Sequence, residues 1–307
     1  MRRVGRCSLP TALALSGLLP VWVLIAASAV SAGLAAQPAA DAQNLAAILT
    51  RVGAHVEEYY TRARSIICTE TVHLQPLTSG MSWDGLGRQL VYELRVLWEP
   101  SMDGDSAAEA NVLRQLVKVN GRPPKPKDEP GCLDPKSVSP EPLAMLLPSR
   151  QRQYAFKWAG TDRIDGRATI RIDYRGVERK PAEITWKDDC VSVDLPGRTR
   201  GRIWFDAQTD DIVRLDEELT GMFEFPVPNE HWHFSGPRSM VIERADSSIR
   251  YKPVAFHDPD ETIMLPASIQ SVQIVRNAGT PRLRTTQQFS DYKRFLTTGR
   301  VKEPGTR

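Results

Sequence analysis

The sequence is poor in the residues from which recognisable catalytic motifs are built. Five histidines and four cysteines stand among 307 residues. It has no Gly-x-Ser-x-Gly elbow, no phosphate-binding glycine loop, no Cys-x-x-Cys pair and no His-Glu-x-x-His run. The nucleophile, nucleotide and zinc-protease chemistries that those motifs carry are therefore not announced. Nothing repeats at a fixed period, which argues against a solenoid or a propeller. Aspartates come in adjacent pairs, Asp188-Asp189 and Asp210-Asp211. Neighbours on a strand face opposite ways, so such pairs rarely share a proton. No catalytic residue and no cofactor is expected. An enzyme stays as a minor alternative, a hydrolase whose site is assembled from distant strands.

Basic excess is also missing once the first segment is set aside. Arg2, Arg3 and Arg6 precede an apolar stretch from Leu9 to Val30, and small residues cluster up to Ala36. This reads as a signal peptide over residues 1–36. An uncleaved membrane anchor is the competing reading, since the apolar run is long enough to span. The segment carries three arginines and no acid, so the formal charge of +3 falls to zero beyond Ala36. A neutral chain has no net charge to drive nucleic-acid binding. Export to the periplasm, the cell envelope or the medium is expected. One half-barrel-like domain should fill residues 37–298, followed by a flexible tail over 299–307.

Beyond the leader the hydrophobic period changes once. From Asp41 to Arg64, Leu45, Ile48, Leu49, Val52, Val56, Tyr59, Tyr60 and Ala63 recur at spacings of three and four. That is one amphipathic helix over 41–64, with Asp41 as N-cap. Afterwards the period is two. Leu90, Tyr92, Leu94, Val96 and Trp98 alternate with other residues, as do Tyr154, Phe156 and Trp158, and Ala168, Ile170, Ile172 and Tyr174. Further segments of this kind lie near 66–75, 112–119, 201–206, 212–219, 239–250, 267–276 and 283–292. The pattern predicts about ten antiparallel strands with one wet face. Eight prolines keep a central strand out of the insertion 120–149. Within it SPEPLAMLL reads as a short helix, with Ser139 as cap and Leu143, Leu146 and Leu147 on its apolar side. Residues 177–190 read as a linker, and 221–238 as an irregular, aromatic stretch. The fold class is α+β, mainly β: an N-terminal helix on a curved antiparallel sheet with a short inserted helix.

The acidic stretch GRIWFDAQTDDIVRLDEEL, residues 201–219, fits a hairpin better than a cation site. A calcium loop needs a glycine at its sharp bend, and none occurs from Arg202 to Thr220. Aspartates favour such turns because they cap nearby amides. The hairpin GRIWFDAQTDDIVRL resembles that of the outer-membrane lipoprotein carrier and sorting superfamily. The closing stretch, from SIRYKPVAFHDPDETIMLPASIQSV to RTTQQFSDYKRF, looks like an uncharacterised secreted bacterial family of that architecture. The resemblance implies an incomplete barrel plugged by helices, binding acyl chains or another apolar molecule. The long insertion and the cysteines depart from the small carriers.

Two helices are thin cover for so wide an apolar face, which motivates a groove. Its expected lining is Tyr92, Leu94, Trp98, Phe156, Trp158, Ile172 and Tyr174. The expected partner is a lipid or a lipoprotein acyl chain, with a membrane surface also open. The protein would be a carrier or a sensor. The alternative is an envelope scaffold whose half-barrel is filled by its own side chains. His231 and His233 are weak metal candidates, to which His257-Asp258 could add a ligand. A solvated loop pair is the plainer reading. His55 and His73 read as structural, and Arg198, Arg200 and Arg202 as a solvated strand face.

Three cysteines remain beyond the leader, so one bridge and one leftover thiol are expected. Cys132 and Cys190 lie in predicted loops, whereas Cys68 shares a strand face with Val72 and Leu74 and reads as a core residue. Peptide mapping of the unreduced protein should therefore give a single Cys132–Cys190 pair. A bridge that contains Cys68, or three free thiols, would refute the assignment.

Overall fold

The computed structural model describes residues 37–63, 65–99, 109–128, 131–132, 141–187, 190–232, 236–257 and 259–294. The expected signal peptide and the tail over 299–307 lie outside the described residues. Helix α1 covers Gln37–Arg62. It starts earlier than the apolar period indicates, so Asp41 sits inside the helix and does not cap it. Ile48, Val52, Val56, Tyr59 and Ala63 form its buried stripe, at the spacing that keeps one helix face inward.

The strands are β1 (Ile66–Pro76), β2 (Arg88–Glu99), β3 (Glu109–Val119), β4 (Tyr154–Ile164), β5 (Arg167–Gly176), β6 (Glu183–Lys187), β7 (Cys190–Asp194), β8 (Thr199–Asp206), β9 (Ile212–Leu219), β10 (Phe223–Pro226), β11 (Ser239–His257), β12 (Asp260–Arg276) and β13 (Arg282–Arg294). The ten strands expected from the two-residue period form one antiparallel path. Its order is β3-β2-β1-β13-β12-β11-β9-β8-β5-β4, and β10 adds to β11. The terminal strands β3 and β4 do not meet, so the sheet stays an open half-barrel. Residues 177–190 are not only a linker: β6 pairs with β7 in a separate hairpin. Five residues per strand are too few to establish an alternation, which is why the sequence hides this hairpin. The aromatic stretch 221–238 likewise contributes β10.

Alternation decides the two faces of the sheet. Ile172, Ile203, Leu215, Ile249 and Ile269 stand in one row across β5, β8, β9, β11 and β12. All five are buried in the same core as the stripe of α1. The turn between β4 and β5 is two residues long, with Asp165 at φ 49° and Gly166 at φ 81°. Two successive left-handed residues are what a type I′ hairpin requires, and Asp-Gly supplies them.

The inserted helix expected near 140–147 is shorter and tighter than an α-helix. Glu141–Leu146 is a 3-10 turn, followed by the four-residue α2 (Pro148–Gln151). Ser139, its expected cap, lies outside the described residues. Leu143 to Leu147 are all buried. Gly53 lets this turn approach α1, because a Cβ there would sit 3.0 Å from the Leu146 carbonyl oxygen. Gln151 Nε2 fastens the contact, donating to the carbonyls of Leu49 at 2.9 Å and Leu146 at 2.7 Å. A disulfide joins Cys132 to Cys190, with 5.1 Å between their Cα atoms, and Cys68 is buried and free.

The two ends of the half-barrel differ. One carries the β1–β2 and β12–β13 connections and the hairpin β6–β7; it is the hairpin end. The other carries the β4–β5, β8–β9 and β11–β12 turns, and α1 docks against the last two; it is the helix end. Val52 is 1% exposed in the centre of this packing. Val52→Asp should lower the unfolding free energy by at least about 3 kcal/mol, since it buries an unpaired carboxylate. Leu113→Asp, on the exposed face of β3, should stay within about 0.5 kcal/mol of wild type. Urea denaturation of both variants checks the pair.

Candidate ligand site beneath the N-terminal helix

Side chains of α1, β1, β2, β12 and β13 leave a small apolar cavity of about 40 Å³. Tyr59 of α1 and Ala63, the residue after the helix, form its roof. Cys68, Leu94, Leu265, Phe289 and Tyr292 are among the sheet residues that line it. Burial pushes the Cys68 thiol up to about 12 and the Tyr59 phenol higher still, so both groups stay neutral. Tyr292 is also held neutral by burial, and its hydroxyl donates to the Pro266 carbonyl at 2.6 Å.

Of the expected groove residues whose side chains are described, Leu94 alone lines this cavity, while Phe156 and Tyr174 border the open groove described below. Tyr92 packs in a separate small core with Val72, Leu74, Leu90, Val119 and Leu283. Ile172 and Tyr174 are buried in the main core, with Phe156 and Trp158 packed half-exposed against it. Trp98 belongs to β2, but its side chain is outside the described set. The Tyr174 hydroxyl donates to Glu217 Oε2 at 2.9 Å. Burial raises the Glu217 carboxyl above its usual range, against the hydrogen bonds from Tyr174 and Thr199.

Next to the cavity lies a buried charge that the period alone does not explain. The inward row of β1 reads Ile66, Cys68, Glu70, Val72, Leu74. Glu70 is fully buried and takes two hydrogen bonds from Arg114, from Nε at 2.8 Å and Nη2 at 2.5 Å. Gln287 Nε2 donates a third at 2.7 Å. The Arg114 guanidinium lies 4.2 Å from the Tyr92 ring centroid. This network separates the main core from the small one. Its signal in the sequence is the acid at an inward position of an alternating strand.

The acidic hairpin has a task the sequence does not reveal, which is holding α1. Asp206 caps the turn by accepting from the Gln208 amide at 2.8 Å. Asp210 accepts from Arg51 Nε and Nη2 at 3.0 and 3.1 Å. Asp211 lies 2.9 Å from His55 Nε2. At the C-terminus of α1, Arg62 donates to Glu261 at 2.8 Å and to the Thr262 carbonyl at 2.7 Å. Arg294 also pairs with Glu261, and it caps α1 by donating to the Arg62 carbonyl at 2.8 Å. Burial works against the charge on Glu261, but the two guanidiniums outweigh it and hold the carboxyl below its usual range.

The opposite face of the sheet carries an open groove of about 1210 Å³ that crosses β4 to β13. Its charges are largely paired. Asp173 accepts from Arg202, Asp216 from Arg214 and Ser248, and Glu218 from Arg200. Arg200 and Arg202 thus belong to this ladder, while Arg198 lies over the Phe223 ring. His231 stacks on Trp186, with ring centroids 4.7 Å apart. Among the described residues no three potential ligands gather around a metal. His233 and Asp258 lie outside those residues. No described helix is long and apolar enough to cross a membrane.

No family model matches this chain, and no curated protein matches it. Among solved structures it is similar to an outer membrane lipoprotein-sorting protein domain from Vibrio parahaemolyticus. That match has 10% identity and a TM-score of 0.37, over 80% of this chain and 91% of the other. A LolA superfamily protein from Nitrosomonas europaea is similar at 10% identity and TM-score 0.32, over 81% and 94%. A DUF1329 family protein from Desulfovibrio piger is similar at 8% identity and TM-score 0.33, over 81% and 91%.

The contact between α1 and the acidic turn gives stability a pH dependence. The hydrogen bond to Asp211 raises the His55 imidazole above its ordinary value, against burial. Burial opposes the charge on Asp211, but His55 and Thr209 outweigh it and hold the carboxyl low. The His55 contribution is complete below about pH 6.5 and fades as pH rises through the raised value. The Asp211 contribution is complete above the ordinary carboxylate range and fades as pH falls. The pair should therefore support the fold best near pH 5 to 6. Its half-exposed position limits the effect to less than about 1 kcal/mol. His55→Gln should remove the corresponding slope between pH 6 and 8 in urea titrations. An unchanged slope would assign the pH dependence elsewhere.

Proposed function

We propose that the protein is an exported carrier of the cell envelope that holds a lipid or another apolar chain beneath α1. Residues 1–36 act as its export signal, and residues 37–298 form the binding domain. The observation that carries this reading is the apolar cavity roofed by Tyr59 and Ala63. The helix that forms the roof is held at the helix end by Arg51–Asp210, His55–Asp211 and Arg62–Glu261. Such partly exposed ion pairs return to water with little change in free energy. A volume of about 40 Å³ is far below the roughly 300 Å³ at which small-molecule pockets begin. Ligand entry therefore requires α1 to move outward and the cavity to widen between the helix and β1, β2, β12 and β13. The neutral lining suits binding without turnover.

Lipid extraction from protein purified without detergent, with displacement of a fluorescent fatty acid, tests the proposal. Saturable displacement is expected. Cys68→Phe should abolish it while the far-ultraviolet circular dichroism stays that of wild type, because the ring fills the cavity. Absence of copurifying lipid and of saturable displacement, in folded wild-type protein, would leave the scaffold reading.

A further inference from the structure

We infer that the hairpin end of the half-barrel docks on a phospholipid bilayer, with Trp83 and Leu86 as its leading contacts. This inference stands apart from the cavity beneath α1, which is lined by other residues.

The argument starts from where large apolar side chains meet water. Among the described residues seven such side chains are exposed. Leu113 and Val117 lie on β3. The other five are Trp83, Leu86, Val177, Ile184 and Met222. Trp83 and Leu86 are in the β1–β2 connection. Val177 follows the last residue of β5, Ile184 is in β6, and Met222 lies in the break between β9 and β10. Strand pairing places Trp83, Leu86, Val177 and Met222 at the hairpin end, and Ile184 belongs to the β6–β7 hairpin that is inserted there. Leu74 pairs with Arg88, Gly176 with Tyr154, and Leu219 with Thr199. The described residues of the helix-end turns, 164–167, 206–212, 257 and 259–260, include no exposed large apolar side chain.

The β1–β2 connection is built to hold its apolar tip outward. Leu77 bridges Trp83, and the Asp84 amide donates to the Pro76 carbonyl at 2.9 Å. Thr78 and Ser82 close a tight turn, amide to carbonyl at 2.9 Å and hydroxyl to hydroxyl at 2.8 Å. The turn forces Met81 to φ 63°, a left-handed conformation that is costly for a side chain of this kind. A collapsed loop would tuck its rings into the core. This one is braced so that Trp83 stays 74% exposed and Leu86 98%.

The chemistry of the surroundings selects the occupant. Tryptophan prefers the interfacial zone of a bilayer, and leucine the acyl boundary beneath it. Arg282 lies beside Leu77, whose amide donates to the Arg282 carbonyl at 3.0 Å. Lys125 is exposed just beyond β3, at the same end. These cations suit headgroup phosphates. The five apolar side chains come from three separate stretches of the chain, the β1–β2 connection, the segment from Val177 into β6 and the break between β9 and β10. A planar membrane can meet separate tips at once, whereas a protein partner needs a contiguous patch.

Vesicle flotation tests the inference. The protein is used in the form the cell produces, with its N-terminus read by mass spectrometry. Wild type is compared with the double variant Trp83→Ser, Leu86→Ser, and with Leu113→Ser as control. Vesicles contain phosphatidylethanolamine and phosphatidylglycerol. Wild type and Leu113→Ser should float with the vesicles, and the double variant should lose about tenfold or more in partition. Any contribution of an uncleaved leader is common to all three. Equal flotation of the double variant would overturn the inference, as would a folded wild type that does not float. Self-association of wild type that the double variant abolishes, without vesicle binding, would assign the rim to a protein contact instead. The fatty-acid displacement by the double variant should match wild type, so failure of the carrier reading and failure of this one remain distinguishable.

Discussion

An antiparallel sheet with one apolar face is stable only when that face is covered. Here a single long helix and one proline-bounded turn supply the cover. The row Ile172, Ile203, Leu215, Ile249, Ile269 extends across five strands, and the stripe of α1 packs into the same core. Every other feature follows from this arrangement. Gly53 is small so that the Leu143–Leu147 turn can reach the helix. The acids of the β8–β9 turn face α1 because the helix must be oriented as well as attracted. Apolar contact fixes that the helix lies on the sheet, while Arg51, His55 and Arg62 fix its angle and register.

Much of this was legible in the sequence. Ten strands and one helix announce themselves through periods of two and of three to four, since a face buried along its whole length leaves a pattern in every residue pair. What escaped is local or relational. β6 and β7 are too short to alternate. The 3-10 turn at Glu141–Leu146 has the apolar content of a helix but too few residues to show its period. The partners of Asp210 and Asp211 lie more than 150 residues away, and no single-chain pattern encodes such a distance. The reading of 201–219 as a hairpin followed from the missing glycine. The reason for its surplus of acid did not.

The candidate site was less legible than the fold. Pocket-lining and core-filling apolar residues look alike in a sequence. Tyr92 and Ile172 illustrate the problem, being of the right type and on the right face while packing against their own neighbours. Tyr292 and Phe289 line the cavity from β13. Glu70 is the instructive counterexample. One carboxylate in an inward row of five is visible without coordinates, and it marks where the interior divides into two cores.

The disulfide has a mechanical consequence. Cys132 belongs to the segment that follows β3, one free edge of the sheet, and passes close to Arg88. Cys190 opens β7, in the hairpin inserted between β5 and β8, next to the other free edge. The bond therefore ties two regions that the open sheet itself leaves unconnected. It acts as a girdle at one rim, fixing the span there much as a hoop fixes one end of a split barrel. Changes in curvature then have to be taken up at the opposite rim, where ion pairs and hydrogen bonds fasten the helix to the sheet. A covalent bond at one end thus gives direction to the motion of the whole shell.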